Sequence, residues 1–292
     1  MKKYFSYILL FLSICIFSVG LIYFVACSEN ASSSSGDDDT GPGQGAPGTI
    51  SAYVRDFQTK TEVQGASVEL VNDETGDLLG ENYKQTSGSD GLVSFNNIPS
   101  DMEKIGVKVT KEGNKDTYEF HFNVGVTNEE FLLVSQSTVD FVSLGLGITI
   151  DPTLSVVAGG VYWWDSDNEN PVGCAVVTVD PPAQHVYYFG PDALPTSARD
   201  ISGSWPANGQ GTNPGVDTKG HAISYFMSPN QPLGEGTVTI SAKAGADTAG
   251  GEPPNLAQTG IPKLSANSVC ISNVYYSKDI YPTNPTPSWC TQ

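Results

Sequence analysis

The feature that most constrains this chain is a short pattern that occurs twice. The first copy reads Gly48-Thr49-Ile50-Ser51-Ala52-Tyr53-Val54, then a polar turn, then Val63-Gln64-Gly65-Ala66-Ser67-Val68-Glu69-Leu70. The second reads Gly159-Gly160-Val161-Tyr162-Trp163-Trp164, a polar turn, then Pro171-Val172-Gly173-Cys174-Ala175-Val176-Val177. In each, β-forming residues occupy two short runs joined by a loop, with a pair of small residues where the second run begins. Later segments match as well: residues 89–95 match 218–224 in part, and 105–109 match 236–240. From the small pair to the later glycine the spacing grows from 26 residues (Gly65 to Gly91) to 47 (Gly173 to Gly220). The second copy therefore carries an insertion of about 21 residues, in a loop, where insertions and binding surfaces concentrate.

Around this repeat the chain reads as strands and turns. In the first copy β-formers fill residues 50–54, 67–71, 92–95, 105–109, 118–124, 131–134 and 139–144. Turn-formers separate them, among them Asn72-Asp73, Ser87-Gly88-Ser89-Asp90-Gly91 and Glu112-Gly113-Asn114. In the second copy the expected strands are 160–164, 175–179, 185–189, 222–226, 237–242 and 269–276. Residues 191–220 form a long loop containing Trp205, residues 245–262 a second loop, and a proline-rich tail begins at 281. No stretch of twelve or more residues holds a helical period; only residues 100–104 suggest a helical turn. The expectation is an all-β fold of two tandem β-sandwiches, residues 49–150 and 151–292, with Asp151-Pro152 at the boundary.

Residues 1–27 stand apart. Lys2 and Lys3 precede an almost unbroken apolar run over 4–25, closed by Phe24-Val25-Ala26-Cys27. This resembles a bacterial lipoprotein signal peptide, with Cys27 as the lipidated mature N-terminus. Acyl chains such as palmitate on Cys27 would hold the protein to a membrane. Ser28 after the cysteine implies the outer membrane. An uncleaved membrane helix is the other reading, since about 20 apolar residues can span. Residues 28–48, with Ser32 to Ser35, three aspartates at 37–39 and Gly41-Pro42-Gly43-Gln44-Gly45, form a linker expected to be disordered. Such a coil spans roughly 25 Å.

The first copy resembles a carboxypeptidase regulatory-like domain, an Ig-like, transthyretin-like β-sandwich. The matching residues are Gly48 and Ile50, Val63-Gln64-Gly65-Ala66-Ser67-Val68, Asp90-Gly91 with Val93, Phe95 and Ile98-Pro99, and the 105–109 strand. Ser100-Asp101 stands where such domains usually have Pro-Gly. The resemblance covers about a third of the chain and reaches the second copy through the internal match. It implies a non-catalytic accessory module in an exported protein.

Charge narrows the partners. With 14 basic and 32 acidic side chains the formal net charge is −18, a poor match to nucleic acid, whose binding depends on neutralising phosphates. Five cysteines agree with export: Cys15 and Cys27 lie in the leader and Cys174, Cys270 and Cys290 in the second copy. A Cys270–Cys290 disulfide would tie the tail to the body. Pairing of Cys174 with either one, or three free thiols, are the alternatives. No Cys-x-x-Cys or closely spaced histidines suggest a metal or cofactor; His121, His185 and His221 are scattered. Asp165-Ser166-Asp167-Asn168-Glu169-Asn170 alternates oxygen ligands but lacks the glycine and terminal glutamate of a Ca²⁺ loop, and reads as a solvated turn. Gly203-Ser204-Trp205 lacks the second glycine of a nucleophile elbow.

The aromatics carry more. All four tryptophans, at 163, 164, 205 and 289, lie in the second copy. On a strand, Val161 and Trp163 would face inward and Tyr162 and Trp164 outward. Outward rings are ordinarily covered by a loop, here the one holding Trp205, or by the neighbouring module. Left open, Tyr162, Trp164 and Trp205 would make a stacking surface for sugar. The chain thus reads as a lipid-anchored envelope protein without catalytic function, in a structural or adhesive role toward a protein or polysaccharide. Sugar binding is the alternative.

Overall fold

The computed structural model describes residues 43–44, 48–165, 168–172, 175–182, 185–189, 195–196, 225–234, 236–243 and 256–276. Cys27, nearly all of the linker, Cys174, Trp205, His221 and Cys290 lie outside the described residues, as do the side chains of Trp163 and Trp164.

The first copy runs β1 (Gly43–Gln44), β2 (Ile50–Asp56), β3 (Ser67–Asn72), β4 (Lys84–Thr86), β5 (Leu92–Phe95), β6 (Lys104–Thr110), β7 (Asp116–Asn123), β8 (Val126–Leu133) and one helix, α1 (Gln136–Leu146). The second runs β9 (Ser155–Asp165), β10 (Asn168–Pro171), β11 (Val176–Asp180), β12 (Tyr187–Phe189), β13 (Pro195–Thr196), β14 (Tyr225–Gln231), β15 (Val238–Lys243), β16 (Leu256–Ile261), β17 (Ser268–Ile271) and β18 (Val274–Tyr276). The protein is all-β, as its alternating runs require. On β2, Ile50, Ala52 and Val54 are buried while Ser51 and Tyr53 between them are half-buried. Gly91 has φ 78°, as the expected turn after Asp90 demands.

Three expectations need correction. Residues 139–144 are helix, not strand. Residues 245–262, expected to be one loop, contain β16, which pairs with β15 along its whole length. The expected 269–276 strand is two strands broken at Ser272-Asn273. β17 lies between β7 and β9, whereas β18 pairs with β9 alone among the described strands.

The repeat in the sequence is a repeat of pairing. In the first copy β2 lies between β5, antiparallel, and β8, parallel, while β3, β6 and β7 form an antiparallel set. In the second, β9 lies between β14, antiparallel, and β17, parallel, while β11, β15 and β16 form the antiparallel set. The copies are not separate in space. β17 also pairs in parallel with β7, from Ser268 beside Asp116 to Ile271 beside Glu119. This joins β4-β3-β6-β7 to β17-β9-β14-β12-β13 and, with β10 and β18 both paired to β9, makes one eleven-stranded sheet that crosses the expected boundary at 150/151.

The two smaller sheets cover opposite faces of the long one. Thr117 and Glu119 on β7 point at β8, accepting hydrogen bonds from the backbone N–H groups of Val134 and Leu132. On that face Ile105, Val107 and Val109 meet Ile50, Val54, Phe95 and Phe131 in the first core. Farther along it, Val269, Ile271, Val156 and Met227 pack with Val139 and Val142 of α1. The opposite face carries Val157, Val161, Cys270 and Phe226, which meet Val177, Ile240, Ala242 and Ile261 of the other small sheet. Val71 and Phe120 of the first copy join this last core.

Candidate functional site

β9 is central in the second copy, and its aromatic run is where sequence reasoning places a ligand surface. Val161 is fully buried in the core, and Tyr162 points to the other side, as strand alternation requires. Tyr162 is not itself open to solvent, being only 3% exposed. Two neighbours enclose it. Its ring lies over Gly160, where a Cβ would stand 2.3 Å from the ring, so only glycine fits beneath it. Tyr275 of β18 lies in register beside it, with ring centroids 5.8 Å apart and planes at 29°.

The half-open ring at this position is therefore Tyr275, 41% exposed. Asn273 completes the arrangement: its Oδ1 accepts from the Gly160 N–H at 2.8 Å, and its Nδ2 donates to the Tyr275 hydroxyl at 3.4 Å. A stacked pair with one ring half-exposed and a carboxamide and hydroxyl at its rim suits a flat, weakly polar ligand face. Sequence reasoning missed Tyr275. Val274 and Tyr276 are buried on either side of it, so the alternation was present, but which strand it would lie beside was not.

Trp163 and Trp164 hold backbone positions opposite Asn170 and Glu169 of β10. Of the stretch with alternating oxygens, Asp165 ends β9 and Asn168 to Asn170 lie on β10, paired antiparallel with it. Among the described residues no group of three or more His, Cys, Asp or Glu side chains could hold a metal ion.

Cys270 is a free, fully buried thiol, and its expected partner Cys290 lies outside the described residues. It faces the core from a central strand, with the Ser155 and Ser268 hydroxyls each 3.8 Å from its sulfur. Burial pushes the thiol up to about 11, so it is protonated and unreactive at neutral pH. Of the histidines, His185 meets Tyr187 edge-on at 6.0 Å, and His121 is held between Asp73 and the Gly260 carbonyl. A carboxyl with a displaced pKa, Glu119, is enclosed between β7 and β8 rather than set in a cleft.

No family model matches the chain, and no curated protein matches it. Solved structures give distant likenesses. The Bacillus anthracis TIE protein is 14% identical with a TM-score of 0.22; the match covers 79% of this chain and 34% of that one, so this chain spans about a third of its length. GBS52, a minor pilin of Streptococcus agalactiae, is 11% identical with a TM-score of 0.21, covering 82% of this chain and 99% of that one. The dioxygenase domain of a dioxygenase carbohydrate-binding protein fusion from Streptomyces sp. SirexAA-E is 18% identical with a TM-score of 0.21, covering 38% of this chain and 97% of that one. Likenesses this remote carry no functional argument, and the fold rests on the chain's own strands and cores.

Proposed function

We propose that this protein is a lipid-anchored component of the bacterial outer membrane, held through Cys27, that presents two fused β-sandwich copies to a protein or polysaccharide of the cell envelope. Its role is structural or adhesive and not catalytic. The observation that carries this reading is the shared eleven-stranded sheet: it makes one stiff body of the two copies, with three cores and, among the described residues, few apolar side chains left outside. Such a body holds a surface at a fixed place rather than closing around a substrate. The high acidic content adds solubility and disfavours nucleic acid. The anchor is tested by acyl labelling. Cys27→Ala is expected to lose both the label and membrane retention, and a variant that keeps its label overturns the anchor.

A polysaccharide partner is favoured by one observation, the half-open Tyr275 stacked on Tyr162. Under this reading Tyr275 is the contact ring and Tyr162 its support, with Trp164 and Trp205 as further contacts. Tyr275→Ala is expected to weaken binding to an envelope glycan by about tenfold, the scale of one aromatic contact, without loss of fold. Glycan binding that survives the substitution unchanged removes Tyr275 from the site. Absence of glycan binding in the unmodified protein leaves a protein partner as the reading.

A further inference from the structure

We infer that His121 is a proton-operated clamp between the two copies, closed when its ring is an imidazolium and weakened when the ring is neutral. His121 sits near the end of β7 with φ 75°, a left-handed conformation that non-glycine residues seldom hold. Its backbone N–H donates to Asp73 Oδ1 at 2.7 Å, and its ring Nδ1 stands 2.9 Å from Asp73 Oδ2. The other ring nitrogen, Nε2, stands 2.8 Å from the carbonyl oxygen of Gly260 on β16. One ring thus touches the 72–77 turn of the first copy and a strand of the second.

Both ring neighbours are acceptors. A carboxylate and a peptide carbonyl have no proton to offer, and a neutral imidazole carries only one N–H. The neutral ring satisfies one neighbour and sets a lone pair against the other. Only the doubly protonated ring donates to both.

The surroundings fit this assignment. Burial raises the Asp73 carboxyl, but the hydrogen bonds and charge of His121, with Lys104, bring it below its ordinary value, so it is an anion at neutral pH. From β6 the charged group facing the pair is Lys104. Lys263 of the second copy pairs instead with Asp77 of the same turn, Nζ to Oδ1 at 2.9 Å. β16 itself, Leu-Ala-Gln-Thr-Gly-Ile, brings no titratable side chain. The Phe120 ring lies 6.3 Å from the imidazole. The seam is tight: a Cβ at Gly76 would stand 2.5 Å from the Lys263 Cβ.

A proton required in the folded state gives a contribution that is full at low pH and is lost as pH rises. The full chain is compared with His121→Asn and Asp73→Asn by thermal unfolding from pH 5 to 9. Asparagine tolerates the left-handed backbone but cannot bridge both partners. The unmodified protein is expected to melt about 2–4 °C above His121→Asn at pH 5, and this gap is expected to shrink by pH 9. Differences between variants cancel the effect of other titrating groups. A gap that stays constant with pH overturns the clamp.

Asp73→Asn provides a second check, which also serves if His121→Asn does not fold. A side-chain amide can donate to Nδ1, leaving Nε2–H of the neutral ring free to donate to Gly260. The seam then needs no extra proton. Asp73→Asn is expected to lose less melting temperature than the unmodified protein between pH 6 and 9. Identical pH profiles for the two overturn the proposal.

Discussion

Glu119 illustrates how position on a strand sets the chemistry of one side chain. Its neighbours along β7 alternate, and its own side chain turns toward β8, where it is 6% exposed and accepts from the Leu132 N–H. Burial pushes its carboxyl up to about 8; the Leu132 N–H and Lys60 oppose this, and Glu130 and Glu129 add to it. The folded protein therefore holds a proton there that the unfolded chain, near 4.3, has released. Between roughly pH 4 and 8 the folded state binds more protons, so this group's contribution to stability falls as pH rises. Glu119→Gln, which keeps the acceptor oxygen, is expected to match the unmodified protein near pH 4 and to exceed it by about 1–3 kcal/mol at pH 9, measured by urea unfolding. Nothing in Tyr118-Glu119-Phe120 announces this. A glutamate between two aromatics reads as the solvent-facing member, and only the covering strand places it inside. Tyr162 shows a related limit. Its orientation was legible from alternation, but its cover, Tyr275, depends on a parallel register more than a hundred residues away in sequence.

At the scale of elements, most strands were legible and β5 coincides with its expected span, but ends were not: β8 and β9 each start five residues before the expected 131 and 160, and β14 starts three after the expected 222. The helix was not legible. Residues 139–144 contain Val139, Phe141 and Val142, enough β-formers to resemble a strand. Burial at Thr138, Val139 and Val142 follows helical spacing instead. The boundary signals were present but unused. Ser135 accepts from the Thr138 N–H at 3.1 Å as N-cap, and Gly147, with φ 64°, ends the helix. Ser135→Ala is expected to cost about 1 kcal/mol, seen as a lower urea midpoint without change in the strand content of the circular dichroism spectrum. β16 escaped notice because its only apolar side chains are Leu256, Ala257 and Ile261, too few to show a period. A different device was invisible in sequence: Gln85 of β4 offers its carboxamide to both backbone groups of Ser94 on β5, tying together edge strands of facing sheets.

For the whole molecule, the pairing pattern shared by two sets of strands has a mark in the sequence, and their fusion has none. The repeat in sequence corresponds to two sets of strands paired alike, whereas the parallel junction of β17 with β7 leaves no local mark. Because β17 is bonded to both copies and Val71 and Phe120 lie in the core beneath β11, β15 and β16, the copies are expected to unfold together. Calorimetry should give one transition whose van't Hoff and calorimetric enthalpies agree; two resolved transitions would contradict the junction. This joint also bears on inheritance. A duplicated module can ordinarily be excised, moved or multiplied by recombination, since each carries its own boundary. Here a cut at 150/151 would strip β7 of β17 and bare Val71 and Phe120 on one face and Leu132, Val134, Val139 and Val142 on the other. Descendants of this gene are therefore constrained to keep the two halves as a pair and to change the residues along β7 and β17 in concert.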